Sequence, residues 1–195
     1  QVTSSAGVGV EGALLDFQVI QGDASFPEIE NFEFQGQVWK EVEDGYLFYS
    51  SYIVDDENAS NGQYVTYNSW STPETSLRYK RIIEVPFYVP ENGSFDVYFR
   101  AYSLDKDHSK IYVGVDSQDS VFVEDNQYNS WVWKKALTTS LTAGSHTVNF
   151  IAYHAPWYFD KIVVQRAGMA APSGTGSTGP DFPNVTDEFG YASTS

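Results

Sequence analysis

An alternation of period two restricts this chain more than any other feature. In SFDVYFRAY, Phe95, Val97, Phe99 and Ala101 fall on one side, and Asp96, Tyr98, Arg100 and Tyr102 on the other. KIYVGV repeats the device through Ile111, Val113 and Val115, and HTVNFIAY through Val148, Phe150 and Ala152. Successive side chains of an extended strand point to opposite faces, so each run predicts a strand with one buried side. PENG, SQDS and TAG punctuate the runs, and no segment carries the spacing of an amphipathic helix. The predicted fold class is all-β, a two-sheet antiparallel β-sandwich.

A chain of 195 residues suits one domain with tails. Residues 1–36 form an N-terminal extension whose two strand-like stretches, ALLDFQVI and NFEFQG, can add to the sandwich. The sandwich itself is assigned to 37–166. From Ala167 onward the sequence is rich in Gly, Ser, Thr, Ala and Pro and lacks alternation, so 167–195 reads as a linker or tail. With 26 acidic against 11 basic residues the net charge is −15, which repels a phosphate backbone and argues against nucleic acid. Cysteine is absent, which excludes disulfides and thiolate chemistry. No run of 18 apolar residues predicts a membrane span. A chain that opens at Gln1 is expected to be an excised piece of a secreted, extracellular protein.

Strand direction predicts where chemistry gathers. Successive antiparallel strands reverse the chain, so alternate loops share an end. PENG, SQDS and TAG fall at one end and are small. The opposite end collects the loops around 68–76, 104–109, 126–130 and 154–157, which carry Trp70, Asp105, Asp107, Tyr128, Asn129, Trp131, His154 and Trp157. Sugars present C–H patches on a face and hydroxyls at the edge, so a flat indole beside hydrogen-bonding groups suits them. Trp131 is the first candidate platform, with Trp157 and Trp70 next. Asn129, Tyr128, His154, Asp105 and Asp107 are candidate polar partners. Trp133 and Trp39 are assigned to packing, which is also the competing reading for each of the other indoles.

Glu41 and Glu43 lie two apart on a predicted strand, which places their carboxylates on one face about 7 Å apart. Asp160 falls in the same alternation as Ile162 and Val164, so it is predicted to point inward and to need a partner. A calcium ion answers all three, since it takes six to eight oxygens. The competing reading leaves the glutamates solvated and pairs Asp160 with Lys or Arg.

Residues 41–65, EVEDGYLFYSSYIVDDENASNGQYV, resemble the opening of carbohydrate-binding modules of families 6 and 35. FYVPENGSFDVYFRAY, SWVW with LTAGSHTVNF, and FDKIVV are similar to that family's later strands and arrive in its order. The resemblance implies a jelly roll of the galactose-binding-like kind, no catalysis of its own and a polysaccharide site formed by loops at one end. It also implies structural calcium, held by Glu41, Glu43 and Asp160 with carbonyls from Ser60 to Gly62. The expected function is a non-catalytic carbohydrate-binding module, a monomer tethered to a catalytic neighbour, that targets a secreted polysaccharide-active protein to its glycan. Neutral polysaccharides or oligosaccharides are favoured by the charge. A jelly-roll lyase or glycosidase domain and an adhesion domain recognising glycoproteins are the alternatives. Neither G-x-S-x-G nor H-E-x-x-H occurs.

Overall fold

The computed structural model describes residues 34–49, 51–67, 80–106, 110–124, 126–153 and 157–177. The described strands are β1 (Gln37–Glu41), β2 (Tyr46–Leu47), β3 (Ser51–Asp55), β4 (Gln63–Tyr67), β5 (Arg81–Val89), β6 (Gly93–Ser103), β7 (Lys110–Val115), β8 (Val121–Glu124), β9 (Trp131–Leu141), β10 (Gly144–Ala152) and β11 (Trp157–Arg166). They form two antiparallel sheets. One has the order β3-β4-β11-β6-β9 with β1 also paired to β11; the other runs β2-β5-β10-β7-β8. The all-β sandwich predicted from alternation is what the chain forms.

The alternation also predicted the core. Phe95, Val97, Phe99, Ala101, Ile111, Val113, Val115, Val148, Phe150 and Ala152 are all buried between the sheets. Phe99 meets Phe150 edge-on at 5.5 Å, so the two sheets interlock through aromatic contacts. Burial of such side chains contributes about 1.5–3 kcal/mol each.

One irregularity positions the chemistry. Phe159 pairs with Val65 of β4 on one edge of β11, whereas Lys161 to Gln165 pair with β1 on that same edge. Between them, at Asp160, the register with β6 shifts. This bulge resets the alternation, so Phe159 and Ile162 both face the core although they are three apart. Asp160, predicted to lie inward and to need a partner, is fully buried and bonds to Arg100 at the seam where β1 ends and β4 begins, the arginine pairing of the competing reading.

The strand reversals follow the expected parity. Described stretches at 90–92, 116–120 and 142–143 join strands at one end, and 104–106 and 126–130 at the other. The stretch ALLDFQVI lies outside the described residues. Phe34 already packs on Phe95 at 6.4 Å, three residues before the predicted domain edge. Residues 167–177, expected to be part of a linker, lie against the six-stranded sheet. Ala167 donates its N–H to Ser94 O at 2.9 Å, and Gln165 Nε2 donates to Ala170 O at 3.0 Å.

Candidate functional site

The outward face of the six-stranded sheet carries one aromatic from each of four adjacent strands. In register, Tyr158 of β11 stands opposite Tyr102 of β6, and Tyr102 opposite Trp131 of β9. Tyr64 of β4 completes the row. Tyr102 and Tyr158 stack at 5.5 Å, Tyr64 lies 4.8 Å from Tyr158, and Tyr64 and Tyr102 approach Trp131 at 5.6 and 5.7 Å. The alternation that buries Ala101 and Phe159 turns these rings outward.

A loop closes over the row. Asp56 and Asn58, between β3 and β4, join Tyr102, Leu104, Asn129, Ser130, Trp131 and Tyr158 around an open cleft of about 540 Å³. That lies within the range of about 300–1,000 Å³ usual for small-molecule clefts. Arg100 fixes the loop: its guanidinium donates to Asn58 O at 3.3 and 3.2 Å, while its carbon centre sits 5.0 Å from the Trp131 ring. Asn129 adopts a left-handed φ of 58° and donates its N–H to Ser103 O at 2.8 Å, which turns the chain into β9.

Donation from the Asn58 backbone and side chain, with Trp131 contributing, holds the Asp56 carboxyl below its usual value, so it is an anionic acceptor at neutral pH. Burial, reinforced by Tyr158, Asp56 and Tyr52, pushes Tyr64 up to about 12. Burial raises Tyr158 too. Both phenols therefore remain neutral donors.

At the seam below the row lies an acidic cluster. Glu41 Oε1 accepts from Lys161 Nζ at 2.6 Å, and Asp160 Oδ2 from Arg100 Nη1 at 2.5 Å. Ser60 donates its N–H to Asp160 Oδ1 at 2.8 Å. Its hydroxyl stands 2.5 Å from Glu41 Oε2 and 2.9 Å from Asp160 Oδ1, with one hydrogen for two acceptors. Glu43 Oε1 accepts from Asn61 at 3.3 Å, whereas its buried Oε2 has no partner. Burial, with the Glu41 charge adding to it, pushes Glu43 up to about 7. Burial likewise raises Asp160 against the pull of Arg100 and Ser60.

No family model matches the chain, and no curated protein matches it. Solved structures do match in fold. The GH26-CBM35 β-(1,4)-mannanase of Podospora anserina superposes with a TM-score of 0.57 at 16% identity, over 70% of this chain and 29% of the mannanase. A family 35 carbohydrate-binding module of Clostridium thermocellum gives 0.51 at 18% identity, over 67% of this chain and 98% of the module. CBM35 from Paenibacillus barcinonensis gives 0.51 at 19%, over 67% and 99%. This chain has the family 35 carbohydrate-binding module fold. It spans less than a third of the mannanase and nearly all of each isolated module.

On this family 35 fold, the predicted rim residues separate. Trp131 and Asn129 line the cleft. Trp157, predicted beside them, is fully buried and stacks on Phe159 at 5.9 Å with an interplanar angle of 7°. It starts β11 on the inward phase, so its indole is core and not rim. Tyr128 and Asp105 are near the same end but do not line the cleft. Trp70, Asp107 and His154 lie outside the described residues. Tyr64, Tyr102, Tyr158, Asp56, Asn58 and Arg100 were not among the predicted binding residues. For Tyr64, Tyr102, Tyr158 and Arg100 the signal was the outward phase of the strands, whereas Asp56 and Asn58 sit in the loop between β3 and β4.

The calcium ligands implied by the resemblance come together only in part. Glu41, Ser60 and Asp160 meet at the seam, and Glu43 and Gly62 flank it. The carbonyls of Ser60 and Gly62 each accept one backbone N–H, from Gln63 and Asp56, which leaves each a second lone pair. Among the described residues, no three His, Asp or Glu side chains stand as a ready-made metal group, and Glu41 and Asp160 are already paired with Lys161 and Arg100. The cluster nevertheless holds three carboxylates against two cations. The unpaired Glu43 Oε2 is the atom that a further cation would answer.

Proposed function

We propose that this domain is a non-catalytic carbohydrate-binding module and that the cleft around Trp131 is its saccharide site. The observation that carries the reading is one indole and three phenols in a single row, with Asp56, Asn58 and Asn129 at the edge. Ring faces suit sugar C–H patches, and the neutral phenols, amides and one carboxylate suit hydroxyls. A glycosidase needs two carboxyl groups across its cleft, about 5–9.5 Å apart. Asp56 is the single acid among the described lining residues, and it is held ionised.

An anionic Asp56 on a chain of net charge −15 opposes polyanions, so a neutral glycan is the favoured ligand. The Podospora anserina mannanase carries GH26 and CBM35 together, which supports attachment of this domain to a catalytic module. Calcium belongs to the same proposal, with Glu43 and Glu41 as its carboxylates and the Ser60 and Gly62 carbonyls beside them. Its role there is to neutralise the seam and stabilise the fold.

The test is a glycan array, followed by depletion onto insoluble mannan, galactan and xylan, using the parent and Trp131→Ala. Binding by the parent, loss in the variant and no released reducing ends or unsaturated products are expected. Equal binding by Trp131→Ala overturns the site, and product release overturns the non-catalytic reading. Binding confined to purified glycoproteins or cells replaces it with adhesion.

A further inference from the structure

Two more indoles lie on the same outward face, and the chain covers them itself. Trp133 is two residues beyond Trp131 on β9, hence about 7 Å further along the strand. Trp39 of β1 meets it edge-on at 5.6 Å. Residues 174–177 occupy the angle between the rings. Trp133 Nε1 donates to Gly174 O at 3.1 Å, and Lys161 Nζ donates to Ser177 O at 3.3 Å. Gly176 sits against both indoles, so a Cβ built on it would stand 2.6 Å from Trp39 Cζ3 and 3.0 Å from Trp133 Cζ2.

These contacts have a common logic. A small C–H surface lies on the indoles, and two oxygens at its edges accept from an indole N–H and an ammonium. A pyranose offers the same pattern of C–H patch and peripheral oxygen. The positive φ of 81° at Gly176 and the lack of room for a Cβ both restrict this position to glycine, which alone can lie flat between the rings.

We propose that Trp39, Trp133 and Lys161 form a second saccharide subsite, continuous with the cleft at Trp131, which residues 174–177 occupy as a strap. With the strap in place the cleft takes a short stretch of glycan. With it displaced, the binding face extends along β9 by a further sugar-sized step. This inference rests on the saccharide reading of the cleft.

The full-length chain carrying Gly176→Val tests it, since the added methyls cannot fit between the indoles. Two quantities are measured beside the parent. The first is acrylamide quenching of tryptophan emission. The second is the affinity for mannobiose and mannohexaose, with the xylose and galactose counterparts run in parallel. Quenching is expected to rise. Hexasaccharide affinity is expected to increase by roughly three- to tenfold, the span one aromatic contact supplies, with disaccharide affinity unchanged. Adding Trp133→Phe should remove that gain.

Raised quenching with an unchanged ratio of hexasaccharide to disaccharide affinity overturns the subsite. If Gly176→Val does not fold, Gly174→Pro replaces it. Proline cannot adopt the φ of 59° at that position, and it expels the strap without adding bulk beside the rings. If the parent binds none of these saccharides, the reading of the Trp131 cleft has failed, and this inference falls with it.

Discussion

The two faces of the six-stranded sheet are built from the same strands and are both aromatic, yet they do different work. Inward, Phe99, Phe159 and Trp157 cluster at 5.8–6.3 Å and are fully buried. Outward, Tyr64, Tyr102, Tyr158 and Trp131 make contacts as close but keep a polar tip near solvent. The difference lies in hydrogen-bonding capacity, not in ring area. Phenylalanine needs nothing from water, whereas a buried phenol or indole needs a partner. Trp157 is the exception that shows how strongly strand phase rules: it is held inside although its indole N–H has no partner.

The largest expected effect separates these faces. Trp157→Ala should cost about 3–5 kcal/mol of stability, the usual loss for a large aromatic cut from a core. Trp131→Ala should cost much less and instead remove binding. Chemical denaturation of both variants, beside the affinity measurements, decides it. If Trp157→Ala unfolds at the parent's denaturant midpoint and loses glycan affinity, the assignment of faces is wrong.

A smaller effect is expected at the seam, where the outward face carries its surplus of negative charge. With calcium at 100 times its Kd, binding adds about 2.7 kcal/mol. For a domain of this size that corresponds to roughly 5–10 °C in Tm. Chelator should therefore lower the melting temperature by that amount, and Lys161→Met should deepen the dependence by removing a competing cation. A melting curve indifferent to chelator in both proteins would mean that Arg100 and a proton suffice.

The inward face was legible because alternation is local. Phe95 to Ala101, Ile111 to Val115 and Val148 to Ala152 announce it within a few residues each. The end of the sandwich that carries the cleft was legible too, because strand reversal needs no more than a count of turns. Three things depended on partners distant in sequence. The bulge at Asp160 arises where β11 changes neighbour from β4 to β1, and nothing in FDKIVV marks it. The Asp56 loop folds over the sheet because Arg100 holds Asn58 O, a contact 42 residues long in sequence. The strap has the composition of a linker, yet glycine is also what a narrow gap between two indoles demands. Attention to loops alone therefore missed Tyr64, Tyr102 and Tyr158, whose outward phase could have been read from the same alternation that identified the core.

The smallest effect concerns the far end of the outward face, where the segment that leads to the strap leaves β11. Asp96 accepts from Thr138 Oγ1 at 2.6 Å and Lys135 Nζ at 2.7 Å, and Gly168 N approaches at 3.4 Å. Burial pushes its carboxyl up, but the Lys135, Thr138 and Gly168 donors together outweigh this and hold it below the usual value of 3.8. The folded state therefore binds the proton less readily than the unfolded chain. The resulting stabilisation is complete above the unfolded value and is lost as pH falls through the folded one. Asp96→Asn should cost about 1 kcal/mol at pH 7 and flatten the decline in Tm as pH falls below the usual carboxylate value of 3.8. Because Asp96 also receives the Gly168 N–H, the variant should loosen the segment that leads to the strap and slightly raise acrylamide quenching of Trp39 and Trp133. Parallel acid limbs in the two proteins would show that Asp96 stabilises the fold by shape alone. Unchanged quenching would show that the strap is held by its indole contacts without help from its base.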